Sequence, residues 1–370
     1  MSRVLVVTND FPPRRGGIES FVLALCERLP PDRVVVYTAS MPGDRAYDER
    51  LPFPVHRDPA GTLLPTRAAG RRVEGVLRRH GCDRVVFGAA MPLGLLAPRL
   101  RRAGATRLVA LTHGHEVWWA RLPGTRALLR RVGESVDVTT YVSEWCHERI
   151  APALSEQARS RMTRLSPGVD PRRFRPGCGG MQVRRRLGIA EQAPVVVCTA
   201  RLVRRKGQDT LVRSWPRVLR EHPDAVLLLV GDGPDRRRLA RLVRRSGVRD
   251  SVLFAGGVPW EQVPAWTDAG DVFAMPCRTR LWGLEPEAWG IVLLEAQACG
   301  LPVVVGRSGG APETLGPESR GRVVEGREQV AAALVQLLAG RGPRRDRSGV
   351  VPWTWDRAGA RLRHLLDAGL

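Results

Sequence analysis

The chain has 370 residues and a mass of 40.8 kDa, with 43% hydrophobic and 26% charged residues, which excludes disordered, collagen-like and disulfide-stapled classes and fits two domains. Its formal charge of +22 raises nucleic acid, anionic lipid and polyanionic substrates as partners. Yet 58 of the 59 basic residues are arginine, Lys206 is the only lysine and Asn9 the only asparagine, so part of the charge reflects biased codon usage. With aromatics at 5% and the arginines spread in pairs, a nucleic-acid groove with stacking platforms is disfavoured, whereas an anionic membrane surface needs no such code.

In chain order, MSRVLVVTND begins at once as a strand, without the regions of a signal peptide. Strands are predicted at Val4 to Thr8, Val34 to Thr38, Arg84 to Phe87, Leu108 to Thr112 and Val138 to Val142, with helices at Ile18 to Leu29 and Leu93 to Arg102 between them. The second half repeats the theme with Val195 to Ala200, Ala225 to Val230, Val252 to Phe254, Val272 to Met275 and Val303 to Val305. This alternation is the signature of parallel sheets built from βαβ units. Turn formers from Ser166 to Gly180 mark a linker, with the boundary near 170 to 185. After a Pro-rich, Arg-rich stretch, Ala358 to Leu366 reads as a capped amphipathic helix. The domains are therefore placed at 1–175 and 176–352, with a helix at 353–370 crossing back to the first. Two doubly wound domains facing each other would form a cleft at the carboxyl ends of both sheets.

No apolar stretch reaches the roughly 20 residues of a membrane span; Phe87 to Pro98 is typical of the longest. Seven cysteines, at 26, 82, 146, 178, 198, 277 and 299, show no metal-ligand spacing and fit free thiols in a reducing cytoplasm. The expected location is cytoplasmic, with peripheral contact at the inner face of the plasma membrane.

Four stretches carry chemistry. Gly16 and Gly17 open a helix after the first strand, where backbone N–H groups without intrahelical partners suit an anion. Thr112-His113-Gly114-His115-Glu116 follows a strand and places an imidazole, His113, at the strand end. A metal site there lacks a third convergent ligand, and a hydrogen-bonded turn is the structural alternative. Arg201 and Lys206 straddle the loop after Val195 to Ala200 and suit a diphosphate. A solvated basic loop is the alternative, but the one lysine of an arginine-rich chain sits here. Finally, Gly290 opens an apolar helix, so the N–H groups of Ile291 and Val292 lie at a positive helix end. Glu287 precedes that helix and suits sugar hydroxyls. Glu295 lies one turn in, among apolar residues where a carboxylate needs hydrogen-bond partners, and suits the diol of a ribose.

Together these stretches, with the Ser166-Pro167-Gly168-Val169-Asp170 crossover and the Glu287-x7-Glu295 spacing, resemble the GT-B glycosyltransferases of family 4. Within that family the chain is most similar to PimB-type GDP-mannose-dependent mannosyltransferases, on stretches such as Thr8 to Arg14, Thr112 to Trp119, Leu122 to Arg126 and Met275 to Arg280. The resemblance implies that Arg201 and Lys206 neutralise the donor diphosphate, Glu287 binds the transferred sugar and Glu295 the ribose. By the same resemblance His113 lies near the reacting centre, Gly16 and Gly17 close on the donor phosphates, and Gly257 and Val258 supply backbone contacts to the base. It implies a first domain that takes a glycolipid acceptor such as a phosphatidylinositol mannoside, a second that takes the nucleotide sugar, retention of configuration, and neither metal nor cofactor.

The chain departs from PimB-type enzymes at Leu281-Trp282-Gly283-Leu284-Glu285-Pro286 and at Trp289. Two indoles near the sugar pocket keep a tailoring glycosyltransferase of secondary metabolism, using a UDP- or GDP-sugar, as an alternative. A noncatalytic sugar- or lipid-binding protein on the same fold is a second. A hydrolase using the two glutamates would leave the basic loop without a role. Lys206→Ala is expected to abolish transfer and leave the fold intact.

Overall fold

The computed structural model describes residues 2–316, 319–340 and 352–368; most of the Pro-rich, Arg-rich stretch, residues 341–351, lies outside them. The chain divides into two compact units, Met1–Pro167 with Trp355–Leu370, and Gly168–Thr354. In the first, strands β1 (Arg3–Val7), β2 (Val34–Ala39), β3 (Val55–Asp58), β4 (Cys82–Phe87), β5 (Arg107–Ala110), β6 (Val138–Tyr141) and β7 (Met162–Arg164) form one sheet in the order β3-β2-β1-β4-β5-β6-β7. In the second, β8 (Val195–Thr199), β9 (Val226–Val230), β10 (Val252–Gly256), β11 (Val272–Met275), β12 (Val303–Gly306) and β13 (Arg322–Val324) are ordered β10-β9-β8-β11-β12-β13. All the pairings are parallel.

Central strands such as β8, Val-Val-Val-Cys-Thr, are buried along their whole length, which is why they read as unbroken β-branched runs. Helices Gln208–Glu221 and Gly326–Ala339 cover one face of the second sheet, where Trp215, Leu211, Leu334 and Leu338 pack on Val196, Leu227 and Val304. Each such side chain contributes about 1.5 to 3 kcal/mol by leaving water.

Strand order reverses between β1 and β4 in one sheet and between β8 and β11 in the other. At such a point the loops on the carboxyl side diverge and leave a crevice. The predicted helix Leu93 to Arg102 is two elements, a tight turn over Leu93–Leu96 and a helix Ala97–Arg102. Pro98 lacks the N–H needed to continue the first, so it sits in the opening turn of the second.

The last helix, Trp355–Asp367, packs within the first unit. Arg28 Nε reaches Asp356 Oδ1 at 3.2 Å, Arg107 Nε donates to the Leu365 carbonyl at 2.9 Å, and the Trp355 ring lies 6.0 Å from that of Phe21.

The division of the chain falls at Pro167/Gly168, ahead of residues 170 to 185. Hydrogen bonds hold the intervening segment in the second unit. The Val169 N–H donates to the Trp353 carbonyl at 3.0 Å, and the Asp268 carboxylate accepts the N–H groups of Gly177 and Gly180 at 3.1 and 2.8 Å. Asp268→Ala leaves these two N–H groups without their acceptor and is expected to lower the unfolding free energy by about 2 to 4 kcal/mol. Urea denaturation measures this, and a loss below about 1 kcal/mol would show that the carboxylate is not the tie between the segment and helix Val263–Asp268.

Candidate active site

In the second unit every expected functional residue but Glu295 lies on a loop or helix start following the carboxyl end of a strand. Lys206 follows β8, Val258 follows β10, and Glu287 follows β11. Lys206 and Glu287 therefore flank the reversal point between β8 and β11, and their side chains meet there: Lys206 Nζ lies 2.8 Å from Glu287 Oε2, both groups buried. The approach depends on backbone geometry. Gly207 has φ 79°, and a Cβ on it would stand 2.0 Å from the Pro276 carbonyl oxygen, so only glycine lets the β8 loop press against the β11 loop. On the other side Ser308 Oγ, on the loop after β12, accepts the Glu287 N–H at 3.1 Å and bonds Thr279 Oγ1 at 2.9 Å.

Arg205 Nε stands 3.6 Å from the same Glu287 oxygen. Arg201, the expected partner of Lys206, is exposed, while its carbonyl accepts Gln208 Nε2 at 3.1 Å. The structure thus adds Arg205 and Ser308 to the cluster. In a chain with 58 arginines nothing distinguished Arg205, but Ser308 could have been found from its place just past the end of a strand.

The two glutamates are both buried and titrate oppositely. Burial disfavours the Glu287 carboxylate, but Lys206 and Arg205 outweigh it and hold the group below its ordinary range, hence ionised. Glu295, on helix Ile291–Ala298, is pushed by burial up to about 8, against the weaker opposing pull of Arg173 and Lys206. Among the described residues its Oε2, like Oε2 of Glu287 with its ion pairs set aside, is buried without a hydrogen-bond partner, so both retain capacity to accept a bond. The same helix starts at Gly290, φ 97°, with no side-chain cap and no acidic residue in its first turn, and Ile291 and Val292 are only half-buried. Their N–H groups are suited to an anion.

In the first unit the loop after β1 reaches helix Gly17–Cys26 through Gly16, where a Cβ would lie 2.2 Å from Glu19 Oε2. Arg14 Nε pairs with Glu19 Oε1 at 2.9 Å. His113 follows β5. Its Nε2 is 2.5 Å from the Gly88 carbonyl oxygen, an atom that can only accept, so Nε2 carries the hydrogen and Nδ1 is an acceptor. Burial lowers its pKa, opposed by the nearby Glu116 charge, and the imidazole is neutral. Glu116 Oε2 accepts the N–H groups of His113 and Gly114 at 2.9 and 3.2 Å, and Oε1 lies 3.2 Å from His115 Nε2. Glu116 is thus the fixed point of the turn.

Of the two indoles expected near the sugar pocket, Trp289 is buried against the Trp353 ring, centroids 4.8 Å apart. Trp282 stands out at the tip of a hairpin. Among the described residues no cluster of three or more His, Cys, Asp or Glu could hold a metal ion.

Two parallel doubly wound units are the architecture of the GT-B class. Residues 15–173 match the family model "Glycosyltransferase Family 4" and residues 182–349 match "Glycosyl transferases group 1". The chain belongs to the family 4 glycosyltransferases. It is 46% identical, over 98% of both chains, to the GDP-mannose-dependent alpha-(1-6)-phosphatidylinositol monomannoside mannosyltransferase of Mycolicibacterium smegmatis. It is 40% identical, over 99% of this chain and 98% of the relative, to the monoacylated phosphatidylinositol monomannoside mannosyltransferase of Corynebacterium glutamicum. Among solved structures, HepE of Anabaena superposes with a TM-score of 0.79 over 100% of both chains at 18% identity, and sucrose-phosphate synthase of Thermosynechococcus elongatus with 0.80 over 98% of both at 21%; both show the fold.

The folded chain retains the Glu295 proton up to about pH 8, whereas the ordinary value is 4.5. The folded state therefore binds more protons than the unfolded state across that interval, and stability falls as pH rises through it. Glu295→Gln removes the contribution. Its melting temperature should exceed the parent's at about pH 8 and converge on it toward pH 5, and parallel melting curves across this range would refute the assignment.

Proposed function

We propose that the chain transfers mannose from GDP-mannose to a hydroxyl of a phosphatidylinositol mannoside, with retention of the anomeric configuration. The observation that carries this reading is the buried Lys206–Glu287 pair beside the uncapped helix start at Ile291. It sets a cation and backbone donors suited to a diphosphate next to a carboxylate suited to sugar hydroxyls. The extent of identity to the mycobacterial and corynebacterial mannosyltransferases supports the choice of donor and acceptor.

Departure of the nucleoside diphosphate concentrates charge on its phosphate oxygens. Lys206, Arg201, Arg205 and the N–H groups of Ile291 and Val292 stabilise that charge, and each well-aimed donor in such a site is worth about 3 kcal/mol. Glu287, ionised, is an acceptor only and takes hydrogen bonds from the sugar. Glu295 offers its unpartnered oxygen to the ribose diol. Gly257 and Val258, after β10, present backbone to the base. In the first unit taken by itself, the N–H groups of Gly16 and Gly17 are suited to a phosphate, and His113, neutral with Nδ1 as acceptor, is suited to a hydroxyl. The acceptor hydroxyl attacks on the face that the diphosphate leaves and transfers its proton to the departing phosphate oxygen.

The acceptor is met at an anionic bilayer surface. The net charge of +22 favours it, as do the exposed Trp118, Leu122 and Leu128, which alternate with Arg121, Arg126 and Arg130. Among the described residues no helix is long and apolar enough to cross a membrane.

Lys206 also bears on stability. Removing one partner of a buried pair strands the other charge, so Lys206→Ala should cost about 3 to 5 kcal/mol of stability as well as activity. GDP and GDP-mannose are expected to raise the melting temperature of the parent chain while UDP and ADP do not. Turnover of GDP-mannose with phosphatidylinositol mannoside should fall at least about 100-fold in Lys206→Ala at a temperature where that variant is folded. Preference for UDP would move the donor assignment to UDP-sugars, and binding of GDP-mannose without turnover would indicate a noncatalytic protein.

A further inference from the structure

Between β11 and Glu287 the chain makes a short clasped hairpin. Arg280 and Glu285 exchange two backbone hydrogen bonds, at 3.3 and 3.1 Å, and their side chains pair at 2.9 Å. The arm leading in is anchored by Arg278, whose guanidinium is bidentate to Asp209 at 2.8 and 3.0 Å. At the tip Leu281 and Trp282 lie consecutively in the left-handed region, φ 49° and 50°, which side chains other than glycine rarely occupy. The clasp holds them there, and the result is an indole 93% exposed beside a leucine 47% exposed. A disfavoured backbone that is firmly held points to a use for what it presents.

The position of the hairpin suggests that use. Trp282 stands five residues before Glu287, the carboxylate assigned to the transferred sugar. If the acceptor is a glycolipid, its acyl chains stay in the bilayer while its sugar hydroxyl reaches the donor sugar, so the rim that carries Glu287 must work against the membrane surface. An indole is suited to the headgroup layer, with an apolar body and one N–H donor. A chain of charge +22 is drawn to an anionic surface.

We propose that the Arg280–Glu285 hairpin is a membrane-interface anchor, with Trp282 and Leu281 entering the headgroup layer of the bilayer that carries the acceptor. The proposal rests on the mannosyltransferase reading of the site and concerns the second unit by itself.

The test compares the parent chain with Trp282→Ser, Trp282→Gly and Trp282→Tyr. Sedimentation with phosphatidylcholine vesicles containing phosphatidylinositol reports membrane binding, and the GDP-induced shift in melting temperature reports the donor pocket. Glycine suits the left-handed backbone, so that variant is expected to fold at least as well as the parent. The serine and glycine variants should bind vesicles roughly tenfold more weakly, the tyrosine variant should recover part of the loss, and the GDP shift should be unchanged in all three. Vesicle binding equal to the parent's in both the serine and glycine variants, or no binding by the parent, overturns the proposal. So does a GDP shift lost together with vesicle binding, which would place the indole in the donor pocket. A changed oligomeric state in size-exclusion chromatography overturns it as well, because the indole would then cover a second copy. Absence of a GDP response in the parent chain defeats the mannosyltransferase reading alone, since vesicle binding is scored separately.

Discussion

Two opposite charges held out of water between the β8 and β11 loops impose most of the geometry around them. Neither Lys206 nor Glu287 can be buried singly without a desolvation cost of several kcal/mol, and the pair offsets that cost only at contact distance. Contact at 2.8 Å requires the two loops to touch. Touching in turn requires glycine at 207, where any side chain would meet the Pro276 carbonyl. It also fixes the position of the β11 loop, which Ser308 secures from the loop after β12. The sheet supplies the crevice, and the ion pair decides how close its walls come.

The second glutamate shows what the same burial does without an adjacent cation. Glu287 is held ionised by Lys206 and Arg205, whereas Glu295 is pushed up to about 8 by burial and keeps an oxygen without a partner. An ionised carboxylate accepts only, while a protonated one both donates and accepts. Two residues of one type, eight positions apart, are thereby given different chemistry by their surroundings. A carboxyl poised in this way near neutrality responds to whatever polar group is set against it, because a hydrogen bond to its charged form lowers its pKa.

What was legible in the sequence followed the same physical divisions. The central strands were found as unbroken β-branched runs because both faces are buried. The strands missed were β3, Val-His-Arg-Asp, β7, Met-Thr-Arg, and β13, Arg-Val-Val. Each lies at a sheet edge, where one side faces solvent and polar residues interrupt the apolar signal. Lys206 stood out because it is the one lysine among arginines, and Glu295 because a carboxylate within an apolar helix has to be explained. Arg205 had no such contrast. Trp289 and Trp282 looked alike as departures near the pocket, and only packing separated a core indole from one at a hairpin tip.

Strand ends need polar groups for two reasons, and the bonding of each group tells them apart. A backbone that leaves a sheet loses its ladder partners, and its N–H and C=O groups must be satisfied locally. Glu116 meets that need after β5, accepting the N–H groups of His113 and Gly114, and Asp268, at the end of helix Val263–Asp268, does the same for Gly177 and Gly180 at the start of helix Gly180–Arg186. Glu287 lies at an equivalent position, yet its carboxylate is set against cations and its own N–H is held by Ser308. His113 divides the roles within one ring, with Nε2 committed to the Gly88 carbonyl and Nδ1 retaining its acceptor capacity. By this criterion Asp268 is an anchor whose loss disturbs its loop, whereas Glu116, Glu287 and Glu295 each keep a buried oxygen whose bonding capacity exceeds what the described residues use. That excess capacity, more than position at a strand end, is the structural mark of a site that binds something else.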